Sequence, residues 1–326
     1  MQLLTGKWVS NAVSAVARFA IPDLLESGPK TIDELAAATS TNKDALYRLL
    51  RATSCVGVCT ELEDGRFAQT PLSEVLRTNA KPGLRNMAMM LADEWNMNFW
   101  GALPWSVQTG KSASFKVFGK PPWEAMMDLG EQSERFHNAM TDMSQMDSPV
   151  VAASYDFSQF KKIVDVAGGM GTLLAAILGS APSLHGVLYE IPQAVEQAKG
   201  IGILRPFESR CEIIAGSMLE SVPAGADAFI MKHIIHDWDD EHSVQILSNC
   251  RKAVAPGGKV LVVDTVIPGG NQFSFGKFLD LEMLVAPGGK ERTAPEWEVL
   301  FTKAGLKLNR IIDTPAGMAI LEGVSA

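Results

Sequence analysis

The segment 163–172, IVDVAGGMGT, constrains this chain more than any other. A short apolar run turns on Gly168, Gly169 and Gly171, and an apolar stretch of helical character, Leu173 to Leu178, follows at once. Strand, glycine turn and helix form the opening unit of a doubly wound sheet that binds a nucleotide. Glycines let the backbone approach a ligand with no Cβ in the way, and the amino end of the following helix offers free N–H groups. A second apolar run, Gly186 to Tyr189, leads into Glu190. That acid stands about twenty residues past the turn, where a carboxylate can accept both hydroxyl hydrogens of a ribose. Turn and acid together predict a nucleoside ligand without saying which.

From about residue 161 strands and helices alternate, which demands a parallel sheet with helices on both faces. Seven strands are predicted: Lys162–Val166, Gly186–Ile191, Cys211–Ala215, Ala228–Lys232, Lys259–Val266, Lys307–Asp313 and Met318–Glu322. Only Thr314 to Gly317 separate the last two, so they must run antiparallel. That hairpin distinguishes the sheet from a six-stranded dinucleotide-binding domain.

The first 145 or so residues read as helical. Thr31 and Glu34 form a capping-box pattern, and Ala45, Leu46, Leu49 and Leu50 lie on one helical stripe. Val56–Thr60 and Arg66–Thr70 flank Glu63-Asp64-Gly65, the pattern of a hairpin. Helix, helix, hairpin is a winged helix, and the predicted division is 1–145 for this domain and 146–326 for the nucleotide-binding one. Winged helices often read DNA. Here the second helix carries Asp44 among its basic residues, the wing tip is acidic, and 29 basic against 37 acidic residues leave a net charge of −8. Such a field repels phosphate, so packing or dimerisation is expected and no nucleic-acid partner. No apolar run approaches the ~20 residues of a membrane span, and the start lacks the apolar core and cleavage site of a signal peptide. Four cysteines without a CxxC pair point to reduced thiols in a cytoplasm.

Segments spread along nearly the whole chain carry a further signal: LLTGKWVSNAV, PDLLESGPKTIDELA, RFHNAMTDMS, VDVAGGMG, LYEIPQ, AGSMLESVPAGADAFIMKHIIHDWDDE, PGGKVLVVDTVIP, FLDLEML and PGGKERT. In order and spacing they resemble the plant- and bacterial-type S-adenosylmethionine (SAM)-dependent O-methyltransferases, homodimers related to caffeate and hydroxyindole methyltransferases. The resemblance implies an α/β fold. A seven-stranded doubly wound sheet with an antiparallel last hairpin would be joined to an all-helical winged-helix N-terminal domain. It implies SAM as cofactor, S-adenosylhomocysteine as product and a small hydroxylated aromatic as substrate. Gly168, Gly169 and Gly171 would back the methionyl part, Glu190 would hold the ribose, Met218 would lie against adenine, and Lys232 would stand near the cofactor. Two residues depart from the pattern. Ala167 replaces the first glycine of the turn, tolerable if its φ is negative, and Ser217 replaces the usual Asp beside the methionine.

For the chemistry the resemblance implies His236 as general base, with Glu291 or Asp264 orienting it; Asp264 is one methylene shorter than the usual Glu, which favours Glu291. A neutral imidazole can take a proton from a phenol whose pKa lies near ~10. The acids of HDWDDEH, Asp237, Asp239, Asp240 and Glu241, are what a helix amino end attracts, and no metal is expected. His137, His185 and His242 are expected at the surface or in structural roles, and His233 packed at a strand end. Pocket residues are expected on two helical stripes, Phe136, Met140 and Met143, and Leu279, Glu282 and Met283, with Trp100 as a further contact. Methionines suit a flat ring, while the carboxylate of Glu282 would meet a polar substrate group or be neutralised.

Overall fold

The computed structural model describes residues 1–326, the side chain of residue 2 excepted. Two compact units emerge, one of Met1–Asn98 with Met126–Met143, the other of Phe99–Ala125 with Ser144–Ala326. The segment 99–125, which the linear division places in the first domain, is tied to the second. Ala113 N donates to Val285 O at 2.9 Å and Ser112 Oγ to Ala286 O at 2.6 Å.

In the first unit a long helix, Gln2–Arg18, is followed by Ile32–Thr39 and Lys43–Ser54. The Thr31–Glu34 capping box is present, and Asn42 caps the next helix through Ala45 N. Val16, Ile21, Leu25, Leu35, Leu46, Leu50 and Phe67 form the core. The wing consists of β1 (Thr60–Glu61) and β2 (Phe67–Ala68), antiparallel, with Lys30 bridging to Phe67. The expected strand Val56–Thr60 is shorter than its pattern suggests. Gly57 at φ +78 and a hydrogen bond from Val58 N to Thr53 O spend those residues on closing the helix instead.

The second unit holds the seven-stranded sheet: β3 (Lys162–Val166), β4 (His185–Glu190), β5 (Cys211–Ala215), β6 (Ala228–Lys232), β7 (Lys259–Asp264), β8 (Leu306–Asp313) and β9 (Ala319–Ser325). Their spatial order is β5-β4-β3-β6-β7-β9-β8, with β9 antiparallel to both neighbours. Alternate residues feed two cores, Ile163, Leu188, Ile230 and Leu261 on one face, and Val164, Val187, Phe229 and Val262 on the other. Period-two alternation with both sets buried is what helices on both faces require. Strand order reverses between β3 and β6, and open sheets of this kind bind ligands in the crevice beyond the strand ends at that switch. β7 ends at Asp264, two residues earlier than predicted, because Val266 leaves it to bridge Arg292. That departure brings the loop holding Glu291 to the end of the sheet.

Candidate active site

The turn after β3 is glycine for two different reasons. A Cβ at Gly168 would lie 2.5 Å from the Asp165 carboxyl carbon and 2.7 Å from Leu188 Cδ1, and one at Gly171 would lie 2.6 Å from Leu204 Cδ1. Gly169 and Gly171 also take φ values of +57° and +81°, which side chains disfavour. Ala167 does not meet the condition of a negative φ under which its replacement of glycine would be tolerable: it sits at +53°. An alanine there carries about 1–2 kcal/mol of left-handed strain. Ala167→Gly is expected to raise stability by about 1 kcal/mol after the entropy that glycine loses on folding. Urea denaturation measures it; an unchanged midpoint would show that the turn bears no strain.

Glu190 ends β4 beside this turn. Burial raises its carboxyl pKa, against the N–H groups of Ile191 and Gly169, which favour the charge. Gly216 N donates to Glu190 O, and a Cβ on Gly216 would strike the Tyr189 hydroxyl, so the chain turns tightly into Ser217 and Met218. Met218 packs against the core, and its carbonyl accepts from Asn249 Nδ2 at 2.9 Å. Of the turn's glycines, Gly169 alone is one where a Cβ would meet nothing within 4 Å. The turn thus leaves open space there beside the Glu190 carboxylate, an arrangement that suits a nucleoside carrying an amino-acid arm. Lys232, expected near the cofactor, is held by the helix Glu131–Ala153: Nζ donates to Ser144 Oγ at 3.0 Å and Asp147 Oδ1 at 2.8 Å.

His236 lies in a single 3-10 turn, Ile235–Asp237, just past β6. Arg292, fully buried, fixes that turn by donating to the carbonyls of Ile235 and Trp238 and to Asp240. Lys290 N donates to His236 O, and Gly289 passes so close that a Cβ would lie 2.0 Å from that oxygen. Glu291 N is in turn held by Asp280 Oδ1 at 2.8 Å. The result is a buried pair: His236 Nδ1 stands 2.7 Å from Glu291 Oε1, with the residues 6% and 2% exposed. Asp264, at 0% exposure, brings Oδ1 to 3.5 Å from the same nitrogen, and Asp237 Oδ1 lies 3.7 Å from Nε2.

Burial opposes charge on this ring, but the Asp264 charge, the Glu291 hydrogen bond, and the charges of Asp237 and Glu291 outweigh it and raise the His236 pKa to about 10. Burial likewise lifts Asp237 to about 7, with the His236 charge pulling down and Asp264 and Glu291 pushing up. The surrounding carboxylates thus favour the protonated ring, whereas the sequence leads one to expect a neutral imidazole. A carboxylate on Nδ1 fixes the tautomer and leaves Nε2 as the nitrogen that exchanges a proton.

His233, expected as a packed strand-end residue, lies against this centre. Its ring stacks on His236 at 5.1 Å and 27°. His233, His236 and Asp264 bring ligand-type atoms within 4.8 Å of one another. Glu291, however, already occupies His236 Nδ1 at 2.7 Å, which takes that nitrogen out of the set a metal could use. The HDWDDEH acids have partners of their own: Asp239 caps the following helix through His242 N, and Asp240 binds Arg292 and Lys290.

Of the pocket candidates, Phe136, Met140 and Met143 belong to the first unit, where Phe136 meets Trp95 edge-on. In the second, Trp100 Nε1 donates to Glu282 Oε2 on the helix Gly276–Val285, which also carries Leu279 and the buried Met283. Sequence reasoning gave no role to Asp147, and its local sequence carries no motif to signal one.

A family model described as the O-methyltransferase domain matches residues 100–307, and one described as the O-methyltransferase dimerisation domain matches residues 1–79. The chain is 38% identical to the phenazine O-methyltransferase PhzM of Lysobacter antibioticus, over 99% of this chain and 94% of the relative. It is 36% identical to the mitomycin biosynthesis 6-O-methyltransferase of Streptomyces lavendulae, over 97% and 90%. The S-adenosylhomocysteine-bound structure of CalO1, a methyltransferase of calicheamicin biosynthesis, superposes with a TM-score of 0.88 at 34% identity, covering 100% of this chain and 96% of that one. An N,N-dimethyltransferase of 8-amino-8-demethylriboflavin from Streptomyces davaonensis is 33% identical over 95% and 89%. The chain belongs to the S-adenosylmethionine-dependent O-methyltransferase family and carries that family's dimerisation domain.

Proposed function

We propose that the protein methylates a hydroxyl of a small aromatic compound, with His236 as general base and Glu291 as the carboxylate that orients it. The observation that carries this reading is the buried 2.7 Å His236–Glu291 pair beyond β6. When bound, SAM supplies the methyl group as a sulfonium. Gly168, Gly169 and Gly171 would give its methionyl arm room, Glu190 would accept from the ribose hydroxyls, Ser217 and Met218 would border the adenine, and Lys232 would act through Asp147 and Ser144. The base then has one task. Nε2 takes the acceptor's proton as the oxygen forms its new bond, while Glu291 and Asp264 stabilise the imidazolium. A phenol near ~10 and an imidazole near 10 are well matched, so the proton moves with little cost in either direction.

Leu279, Glu282, Met283 and Trp100 of the second unit are the proposed acceptor contacts; Phe136, Met140 and Met143 are proposed separately, on the first unit. A homodimer is proposed as well: the helix Gln2–Arg18 exposes Leu3, Leu4 and Trp8, large apolar residues within the matched dimerisation segment. All four cysteines are free thiols, which suits a reducing cytoplasm as the enzyme's compartment. Among the described residues no helix is long and apolar enough to cross a membrane.

The test is S-adenosylhomocysteine release with paired panels of phenols and the corresponding arylamines. Phenols are expected to turn over and amines not; turnover of amines alone would replace the oxygen acceptor with nitrogen. Glu190→Ala is expected to weaken SAM binding by about ten- to a hundredfold, the worth of charge-assisted hydrogen bonds of ~1.5–3 kcal/mol. Calorimetry measures it, and wild-type affinity would remove Glu190 from the ribose site.

A further inference from the structure

We propose that His233 is a positioning residue for the transfer, its imidazole turned onto the buried Asp264 carboxylate so as to govern how readily His236 exchanges its proton. The proposal rests on the reading of His236 as base. Its first support is the backbone. His233 is one of four non-glycine residues at positive φ, at +56°. Strained conformations of this kind persist only where the surroundings impose them, and they cluster at working sites. Here His233 N donates to Val263 O, the residue before Asp264, while the left-handed turn swings the side chain back over the end of β7.

The second support is the set of polar atoms that the ring faces. Both oxygens of Asp264 are buried without a hydrogen-bond partner among the described residues, as is Asp147 Oδ2. His233 lies between them: Nδ1 is 3.7 Å from Asp264 Oδ1 and Nε2 is 3.6 Å from Asp147 Oδ2. These contacts are a few tenths of an ångström too long for hydrogen bonds, and catalytic contacts often close only when the reactants are in place. The charged and titratable neighbours of the ring are Asp147 from the helix Glu131–Ala153, Lys232 from its own strand, Asp264 from β7 and His236 from the turn. Burial lowers the His233 pKa; the nearby Asp147 carboxylate opposes this, the His236 and Lys232 charges reinforce it, and Asp264 opposes it again. A neutral ring has one N–H, and the unpartnered oxygens of Asp264 compete for it with Oδ2 of Asp147, whose other oxygen is already held by Lys232.

Asp264 is therefore the point where the two imidazoles meet. A donor on it stabilises the state in which His236 has released its proton and three carboxylates face one another. Without that donor the cluster holds its last proton longer. Three variants test this. His233→Phe keeps a ring and loses the donors, His233→Asn tolerates the left-handed backbone and keeps one, and His236→Ala identifies the signal. The His236 Cε1–H resonance is titrated by NMR in each protein, and kcat/KM is measured against pH with one phenol. In His233→Phe the His236 midpoint is expected to rise by about one unit, the size of shift that a polar neighbour within a few ångströms produces. Below the midpoint that unit lowers kcat/KM by about tenfold. His233→Asn should recover most of both. A wild-type or lowered midpoint in His233→Phe overturns the proposal, as does an Asn variant as impaired as Phe. Full activity in His236→Ala would overturn instead the base assignment on which it stands.

Discussion

His236→Ala is expected to lower kcat by about a hundred- to ten-thousandfold, the range that a lost general base produces, and to leave SAM affinity within about threefold. The separation follows from where the groups lie. Most residues assigned to the cofactor follow β3, β4 and β5, and Lys232, which ends β6, is held by Ser144 and Asp147, whereas His236 is fixed from its own side by Arg292, Lys290 and Gly289. Removing the imidazole takes away the proton acceptor but leaves the glycine cradle intact. Asp237 is the nearest substitute, 3.7 Å from Nε2 with a pKa near 7, so residual turnover should vanish in the His236→Ala, Asp237→Asn double variant. Activity of the single variant within about threefold of wild type would end the base assignment.

Glu291→Gln is expected to cost nearly as much, about a hundredfold or more, because the amide can donate where the carboxylate only accepts. An amide N–H facing Nδ1 favours the tautomer with the proton on Nε2, the nitrogen that must be free. The pH dependence separates this from a general loss of structure. His236 accepts a proton only when neutral, so with a midpoint near 10, kcat/KM of the wild type rises about tenfold per unit between pH 7 and 9. The Glu291 hydrogen bond and charge both raise that midpoint, so in Glu291→Gln the remaining activity should level off at lower pH. The raised value also contributes stability. That contribution is full below the unfolded value near ~6.5 and is lost as pH climbs through 10, so the variant's stability deficit should shrink on the alkaline side. A variant with the wild-type midpoint would show that Asp264 alone governs the ring.

Repeating local rules made the sheet legible in the sequence. β3, β5 and β6 have the predicted ends because period-two burial stops where a glycine turn or an irregular segment begins. The wing was harder to delimit, since Val56 and Val58 have strand-forming side chains but serve a helix terminus. The segment 99–125 carries no local mark of the unit it joins; its tie to Val285 and Ala286 joins residues more than 170 positions apart. At the site, it was the family resemblance that singled out His236 and Glu291, which the structure places 2.7 Å apart. The sign of φ at Ala167, the stacking of His233 and the capture of Lys232 by Asp147 depend on strand ends meeting in space.

The loop 287–292 lies against the His236 carbonyl with only a glycine between. Main-chain atoms therefore carry the alignment of base and carboxylate, through Lys290 N and through Glu291 N to Asp280. If Leu279 and Met283 are the acceptor contacts proposed above, they could be exchanged for differently shaped acceptors without disturbing that alignment. A lineage built on this scaffold could diversify its products rapidly while the transfer step itself stayed fixed.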